Sequence, residues 1–276
     1  MIDAHVYCLP PRLRQSNVML PKSEAIIQET IHCHAEGPMA LSKASPGTIM
    51  NSMDQAGIAR SVLIAFPWAD SALCRENNDF ILEQVAVNDR FMAVCSVQPA
   101  SLDALAEARR VLHAGAIGIK INPVWQGFCL DDAHVNNLAA VVLQNNVFLM
   151  LHVDQPYKQS PASPAYLFDL AVRLPELKIL ASHLGGLLGL SSLHKPIAQK
   201  TVNIWYDTAV SSTLEMVTWY FEAGLEDKIV FGSDFPFNHS HSQKQVVEGI
   251  LKLGLANHIE SKIFESNFMA LSGTEI

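Results

Sequence analysis

The feature that most constrains this chain is a repeated pattern. Short runs rich in valine, isoleucine and leucine alternate with longer amphipathic stretches along 276 residues. Such alternation reads as strand–helix units, which build a parallel sheet. Eight runs fit strands: Met1–Tyr7, Ser61–Phe66, Phe91–Gln98, Gly118–Asn122, Val147–Val153, Lys178–His183, Asn203–Asp207 and Lys228–Gly232. Helical patterns lie between them at Thr48–Gln55 (stopped by Gly57), Arg75–Val87, Leu102–Leu112 (with Ser101 as its cap), Asp131–Gln144, Pro164–Arg173, Ser211–Glu222, Gln243–Leu253 and Ser261–Leu271. The stretch Ser191–Lys200 is weaker and reads as partly helical.

Eight units without a long linker fit one (β/α)₈ TIM barrel, a single α/β domain over residues 1–276. A doubly wound open sheet fits less well, because it usually has fewer strands and a glycine-rich first turn, and neither GxGxxG nor GxxxxGK[ST] is present. The piece from Cys8 to Pro46 is too long for an ordinary connection. Stiffened by Pro10, Pro11, Pro21 and Pro38, it is expected to fold over the barrel mouth as a lid or substrate loop.

The functional signal is where polar residues fall. His5 and Tyr7 end the first run, Lys120 lies in the fourth, His152 and Asp154 end the fifth, His183 the sixth and Asp207 the seventh, and Asp234 follows the eighth in GSDFP. Barrel enzymes build their sites from the C-terminal ends of the strands. A buried histidine or aspartate without a partner costs on the order of 1–3 kcal/mol. One lone histidine would be a satisfied core residue, whereas this many at different strand ends point to one shared polar site.

The net charge of −8 and the lack of a basic stripe argue against a nucleic-acid partner. Five cysteines without a CxxC pair argue against a disulfide framework and fit reduced thiols in the cytoplasm. The opening MIDAHVYCLPPR carries an acid and a histidine where a signal peptide needs an apolar run, and the longest apolar stretches are too short for a bilayer, so a soluble cytoplasmic protein is expected. A small-molecule substrate is the expected partner.

These motifs together resemble the amidohydrolase superfamily, in the branch of aminocarboxymuconate-semialdehyde decarboxylase and pyrone-dicarboxylate lactonase. IDAH resembles the branch's IDxHxH, GIKINP its GxKxxP, LHVD and ASHLGG its strand-five and strand-six histidine motifs, NIWYDTA its seventh strand, and FGSDFPF its strand-eight aspartate motif. ESNFMAL is similar to its closing helix. The resemblance implies one divalent metal, zinc or manganese, held by His5, His152 and Asp234. It places His183 beside the metal, orienting water or substrate and moving protons. Lys120, Tyr7 and Trp125 are the substrate-contacting candidates, with Lys120 as an ordinary side chain holding a substrate oxygen. Relatives of this kind often form homodimers.

Tyr7 departs from the pattern by replacing the second histidine of HxH. A phenol with a pKa of about 10 is a poor ligand unless deprotonated. Three readings stay open: His5, His152 and Asp234 suffice as three ligands plus a water; His183 replaces the missing ligand; or the metal is lost. On the resemblance, the expected reaction is metal-dependent hydrolysis of a C–O or C–N bond in a lactone or amide, with Asp234 taking the water's proton and His183 steadying the oxyanion. Non-oxidative decarboxylation of an aromatic or unsaturated acid is the alternative within the family, and a non-catalytic barrel with a degraded site is the alternative outside catalysis. The pairs His32/His34 and His239/His241 read as solvated loop residues, and Cys8 lacks a readable base. Trp68 and Trp125 are balanced between substrate contact and capping the barrel, and Arg12, Arg14 and Lys158 read as surface charges.

Overall fold

The computed structural model describes the backbone of residues 1–15, 17–33, 37–153, 161–188, 195–210, 214–238 and 242–274. Eight strands form one sheet in sequential order: β1 Ile2–Tyr7, β2 Arg60–Ile64, β3 Phe91–Ser96, β4 Gly118–Ile121, β5 Phe148–Leu151, β6 Lys178–Ala181, β7 Ile204–Asp207 and β8 Ile229–Val230. Every neighbouring pair is parallel. The sheet curls back on itself. Ala4 N donates to Phe231 O at 2.9 Å and Tyr7 N to Phe235 O at 2.8 Å, with a parallel bridge between Val6 and Phe235. The expected barrel is therefore the observed one.

Alternation along the strands sorts the core into two layers. In β5, Phe148 and Met150 group with Val62, Ile64, Val94, Leu180 and Val230. Leu149 and Leu151 group with Leu63, Ile119, Ile121 and the flanking helices. A period of two thus fills the barrel with one set and covers it with the other. Phe268 and Leu271, from the final helix, join the first group.

The helices follow the pattern with shifted ends. Asp70 caps Ser71–Val87 by accepting Ala72 N and Leu73 N, so that helix begins before its first apolar stripe. Ser101 is not the cap of the next helix: its hydroxyl bonds the Asp103 side chain, and the helix runs Ala104–His113. The expected helix Asp131–Gln144 runs Ala133–Gln144. The expected closing helix Ser261–Leu271 is three consecutive pieces, Asn257–Ser261, a π-helical turn Lys262–Ser266, and Asn267–Ser272. The expected Ser211–Glu222 helix is seen as Met216–Glu222, its first three residues lying outside the described ones. A short helix Pro123–Gln126, with no counterpart in the apolar pattern, follows β4.

The long segment after β1 is a packed wall. It carries helices Ala25–Cys33 and Gly37–Lys43. Leu13, Ile27, Leu41 and Ala44 are buried with Tyr7, Leu9, Phe66 and Trp68. Glu24, itself buried, accepts Asp70 N at 2.6 Å and Ala69 N at 3.1 Å.

Candidate active site

His5, at the C-terminal end of β1, is fully buried. Its Nδ1 lies 2.9 Å from Asp207 Oδ2, at the end of β7. An ionised carboxylate only accepts, so Nδ1 carries the proton and Nε2 keeps its lone pair. Nε2 is buried and has no hydrogen-bond partner among the described residues, 3.4 Å from Asp234 Oδ1. Burial pushes the Asp207 carboxyl up, but His5, His183 and Lys120 outweigh it and hold the group at about 2. Burial lowers the His5 pKa, against the pull of Asp207, so the ring favours the neutral form a ligand needs.

His183 follows β6 in a left-handed turn, with φ 59° at His183 and 53° at Leu184. Its N–H donates to Asp207 Oδ1 at 2.7 Å, and its Nδ1 lies 2.5 Å from the Ala209 carbonyl, an acceptor. With Nδ1 as the donor, Nε2 again keeps its lone pair. Asp234 also has a positive φ, 59°. Such conformations in non-glycine residues cost energy and cluster at functional sites. The β8 end can approach this closely because residue 232 is glycine: a Cβ there would stand 2.9 Å from His5 Cβ and 3.2 Å from Asp207 Cβ.

One ligand atom each from His5, His183 and Asp234 lies within 4.8 Å of the others. Two bare imidazole nitrogens and a carboxylate suit a divalent cation such as zinc or manganese. The orphaned His5 Nε2 is the observation that makes the fit, since a buried acceptor otherwise stays unsatisfied. The carboxylate that orients His5 from behind is a common partner of metal-bound histidine. His152, expected as a ligand, lies beside this group, its ring as near to His183 as the His5 ring is. Its centroid is 5.0 Å from that of His183 in a T-shaped contact, and it is not in the three-residue group. Burial and then His183, Lys120 and His5 drive its pKa well below the ordinary histidine value, so it is neutral.

Lys120 is fully buried and donates to Ser182 Oγ at 2.6 Å. Burial lowers its pKa to about 8, opposed by Asp207 and Asp234. Aromatic rings form a wall beside the cluster. Trp125 stacks on Phe66 at 4.9 Å and 13°, and on His152 at 5.9 Å and 20°. Tyr7 lies 5.2 Å from His5, 5.1 Å from Phe66 and 5.5 Å from Phe237, centroid to centroid. Burial first, then Asp234 and Asp207, push the Tyr7 phenol well above its usual range, so it stays protonated.

The structure thus gathers His5, His183, Asp234, Tyr7, Lys120, His152 and Trp125 at one end of the barrel, and Trp68 stands behind Phe66 at 4.8 Å. Asp154, Lys158, His34, His239 and His241 lie outside the described residues, as does the side chain of His32. Arg12 is bound to Glu76 on the surface, and Cys8 is buried with its thiol pushed up to about 12 by burial. Sequence reasoning missed Phe66 and Phe237, which ordinary strand-end patterning does not mark. It also missed Asp3 of IDAH, whose carboxylate accepts His5 N, Ser233 N and Gln243 Nε2 and so pins β1 to the loop after β8.

A family model described as amidohydrolase matches residues 2–267. The chain belongs to the amidohydrolase family. A search of curated protein sequences finds no match. Among solved structures, the chain is similar to 5-carboxyvanillate decarboxylase from Sphingomonas paucimobilis, with 16% identity, TM-score 0.78, and coverage of 100% of this chain and 99% of that one. It is also similar to 2,6-dihydroxybenzoate decarboxylase from Rhizobium (17%, 0.75, 99% and 98%). A third is 5-carboxyvanillate decarboxylase from Novosphingobium aromaticivorans (15%, 0.76, 99% and 97%), crystallised with manganese and 3-methoxy-4-hydroxy-5-nitrobenzoic acid. These relatives overturn the expectation of a lactone or amide hydrolase: they are decarboxylases. The donors that would activate a water serve equally to hold an acid, so the residues alone did not separate the two reactions.

Proposed function

We propose that this protein is a metal-dependent decarboxylase that removes carbon dioxide non-oxidatively from a small aromatic or conjugated acid. The observation that carries the reading is the flat stack of Phe66, Trp125 and His152 beside the cluster of His5, His183 and Asp234. A planar ring and a cation site side by side suit an arene bearing a carboxylate. The fold shared with decarboxylases of 5-carboxyvanillate and 2,6-dihydroxybenzoate supports it.

His5, His183 and Asp234 would hold the metal, zinc or manganese. When bound, it supplies positive charge against the substrate's carboxylate and any neighbouring hydroxyl. In the reaction the bond from ring carbon to carboxylate breaks, its electron pair stays on the ring carbon, and one proton is taken up there. Asp234, half-buried in its left-handed turn, would take a proton from water and pass it to that carbon, and His183 would steady it. Lys120 has one of its three N–H donors on Ser182 and offers the others to a substrate oxygen. Trp125, held between Phe66 and His152, borders the substrate ring with its edge, and the protonated Tyr7 hydroxyl serves as a donor to it.

The test is carbon dioxide release by manganese-loaded protein from 2,6-dihydroxybenzoate, 5-carboxyvanillate and related hydroxybenzoates. Equimolar carbon dioxide and decarboxylated arene are expected, and neither with Asp234→Asn. Metal-loaded protein that binds these acids but releases no carbon dioxide would instead be a binding barrel.

A further inference from the structure

Behind the aromatic wall lie buried amide side chains that the reaction does not use. Gln126 is 4% exposed. Its Nε2 donates to the carbonyls of Trp68 and Val97, both at 3.0 Å, and its Oε1 accepts Asn122 N at 2.9 Å. One carboxamide therefore joins the chain beyond β2, β3 and β4, with both N–H bonds and the oxygen in use. Its own carbonyl accepts Gln98 Nε2 at 2.8 Å, and the same nitrogen reaches Ala69 O at 3.1 Å.

Gln126 also ends the short helix Pro123–Gln126 that carries Trp125. The Asn122 side chain caps that helix by accepting Val124 N and Trp125 N, and Gly127 closes it at φ 69°. Trp125 has little freedom of its own on one helical turn. Its indole lies between Phe66 and His152, so a tilt of this turn moves the ring that faces His183. The two carbonyls converging on Gln126 Nε2 need two donors from one atom. Glutamate and methionine, of similar length, offer none: each would take the amide donor from the Val97 carbonyl and leave the Trp68 carbonyl only the weak Cys74 thiol at 3.2 Å.

We propose that Gln126 is a positioning residue: by tying together the loops after β2, β3 and β4 it sets the angle of Trp125 and, through that stack, of His152. The inference rests on the decarboxylase reading only for its ligand-binding arm.

The experiment compares wild type with Gln126→Met by manganese uptake, near-ultraviolet circular dichroism of tryptophan, and calorimetric binding of 2,6-dihydroxybenzoate to manganese-loaded protein. Manganese uptake should stay at the wild-type level, because His5, His183 and Asp234 do not touch Gln126. The tryptophan signal should weaken and the affinity for the acid fall by about tenfold or more. An unchanged tryptophan spectrum with affinity within about twofold of wild type overturns the proposal. So does loss of manganese together with the acid, which would mean a collapsed site. If Gln126→Met does not fold, Gln98→Met, which removes the ties to Ala69 and to the Gln126 carbonyl, should give the same pattern in smaller measure; a wild-type spectrum there overturns the proposal. If wild type itself does not bind the acid, the decarboxylase reading is what fails, and the tryptophan spectrum alone decides on Gln126.

Discussion

His5 and His183 share one carboxylate: Asp207 accepts His5 Nδ1 on one oxygen at 2.9 Å and the main-chain N–H of His183 on the other at 2.7 Å. Two of the three clustered metal-ligand candidates are therefore aimed by a residue that is not in the cluster itself. Asp207→Asn puts an NH₂ where one of those donors now points. Manganese affinity should fall by about 10–100-fold, the usual cost of losing such a supporting partner. A manganese titration measures it, and unchanged affinity would show that Asp207 only stabilises the fold.

Tyr7 can be separated from the metal by two substitutions. Its ring packs on His5, Phe66 and Phe237, and its phenol is held protonated. Tyr7→Phe keeps that packing and should leave manganese affinity within about twofold of wild type, because a neutral phenol is a poor ligand. Tyr7→His brings a third imidazole beside His5 and should tighten binding. A large loss of metal in Tyr7→Phe would show that the phenolate is a ligand after all.

Much of the barrel was legible because its strands are apolar runs that end in one polar residue. His5, His152, His183 and Asp207 were visible for that reason, and Lys120 by its place between Ile119 and Ile121. That the His183 ring approaches Asp234 was not legible. It depends on the left-handed turn at His183 and on the grip of Asp207, and neither leaves a periodic signal. Gln126, Gln98 and Asn77 were invisible because an isolated amide carries no periodic signal and reads as solvated wherever it falls. Asn77, for instance, holds Phe66 N, the Trp68 indole and the Cys8 carbonyl from a helix interior. The Pro123–Gln126 helix is too short to show a period, and the closing helix hides a π-helical turn inside a continuous pattern.

Lys120 opposes stability while serving the site. Its folded pKa of about 8 lies below the value of about 10.4 for an exposed lysine, so charging it at neutral pH costs folding free energy. That cost is relieved as pH rises through 8 towards the unfolded value. Lys120→Met should be at least as stable as wild type at pH ~7, and wild type should gain on it towards pH ~10. Turnover should drop by about 10²–10³, as for loss of one preorganised donor. Urea unfolding at the two pH values and one activity assay check all three statements.

Glu107 gives the opposite sign. Burial pushes its carboxyl up, but Arg110 and Asn78, then Arg75, more than offset this and hold it below the usual glutamate value. Its oxygens accept Arg110 at 2.7 and 2.8 Å and Asn78 Nδ2 at 3.0 Å, and Asn78 in turn bonds Ser96 N and Ser96 O at the end of β3. A depressed carboxylate stabilises the fold above its unfolded pKa, and that contribution is lost as pH falls through the folded one. Glu107→Gln should therefore cost about 1.5–3 kcal/mol at pH ~7, the worth of charged hydrogen bonds. The gap to wild type should close as the pH drops below ~4.3, the ordinary glutamate value. Urea unfolding across that range would show it, and a gap independent of pH would mean that packing, not charge, is what Glu107 contributes.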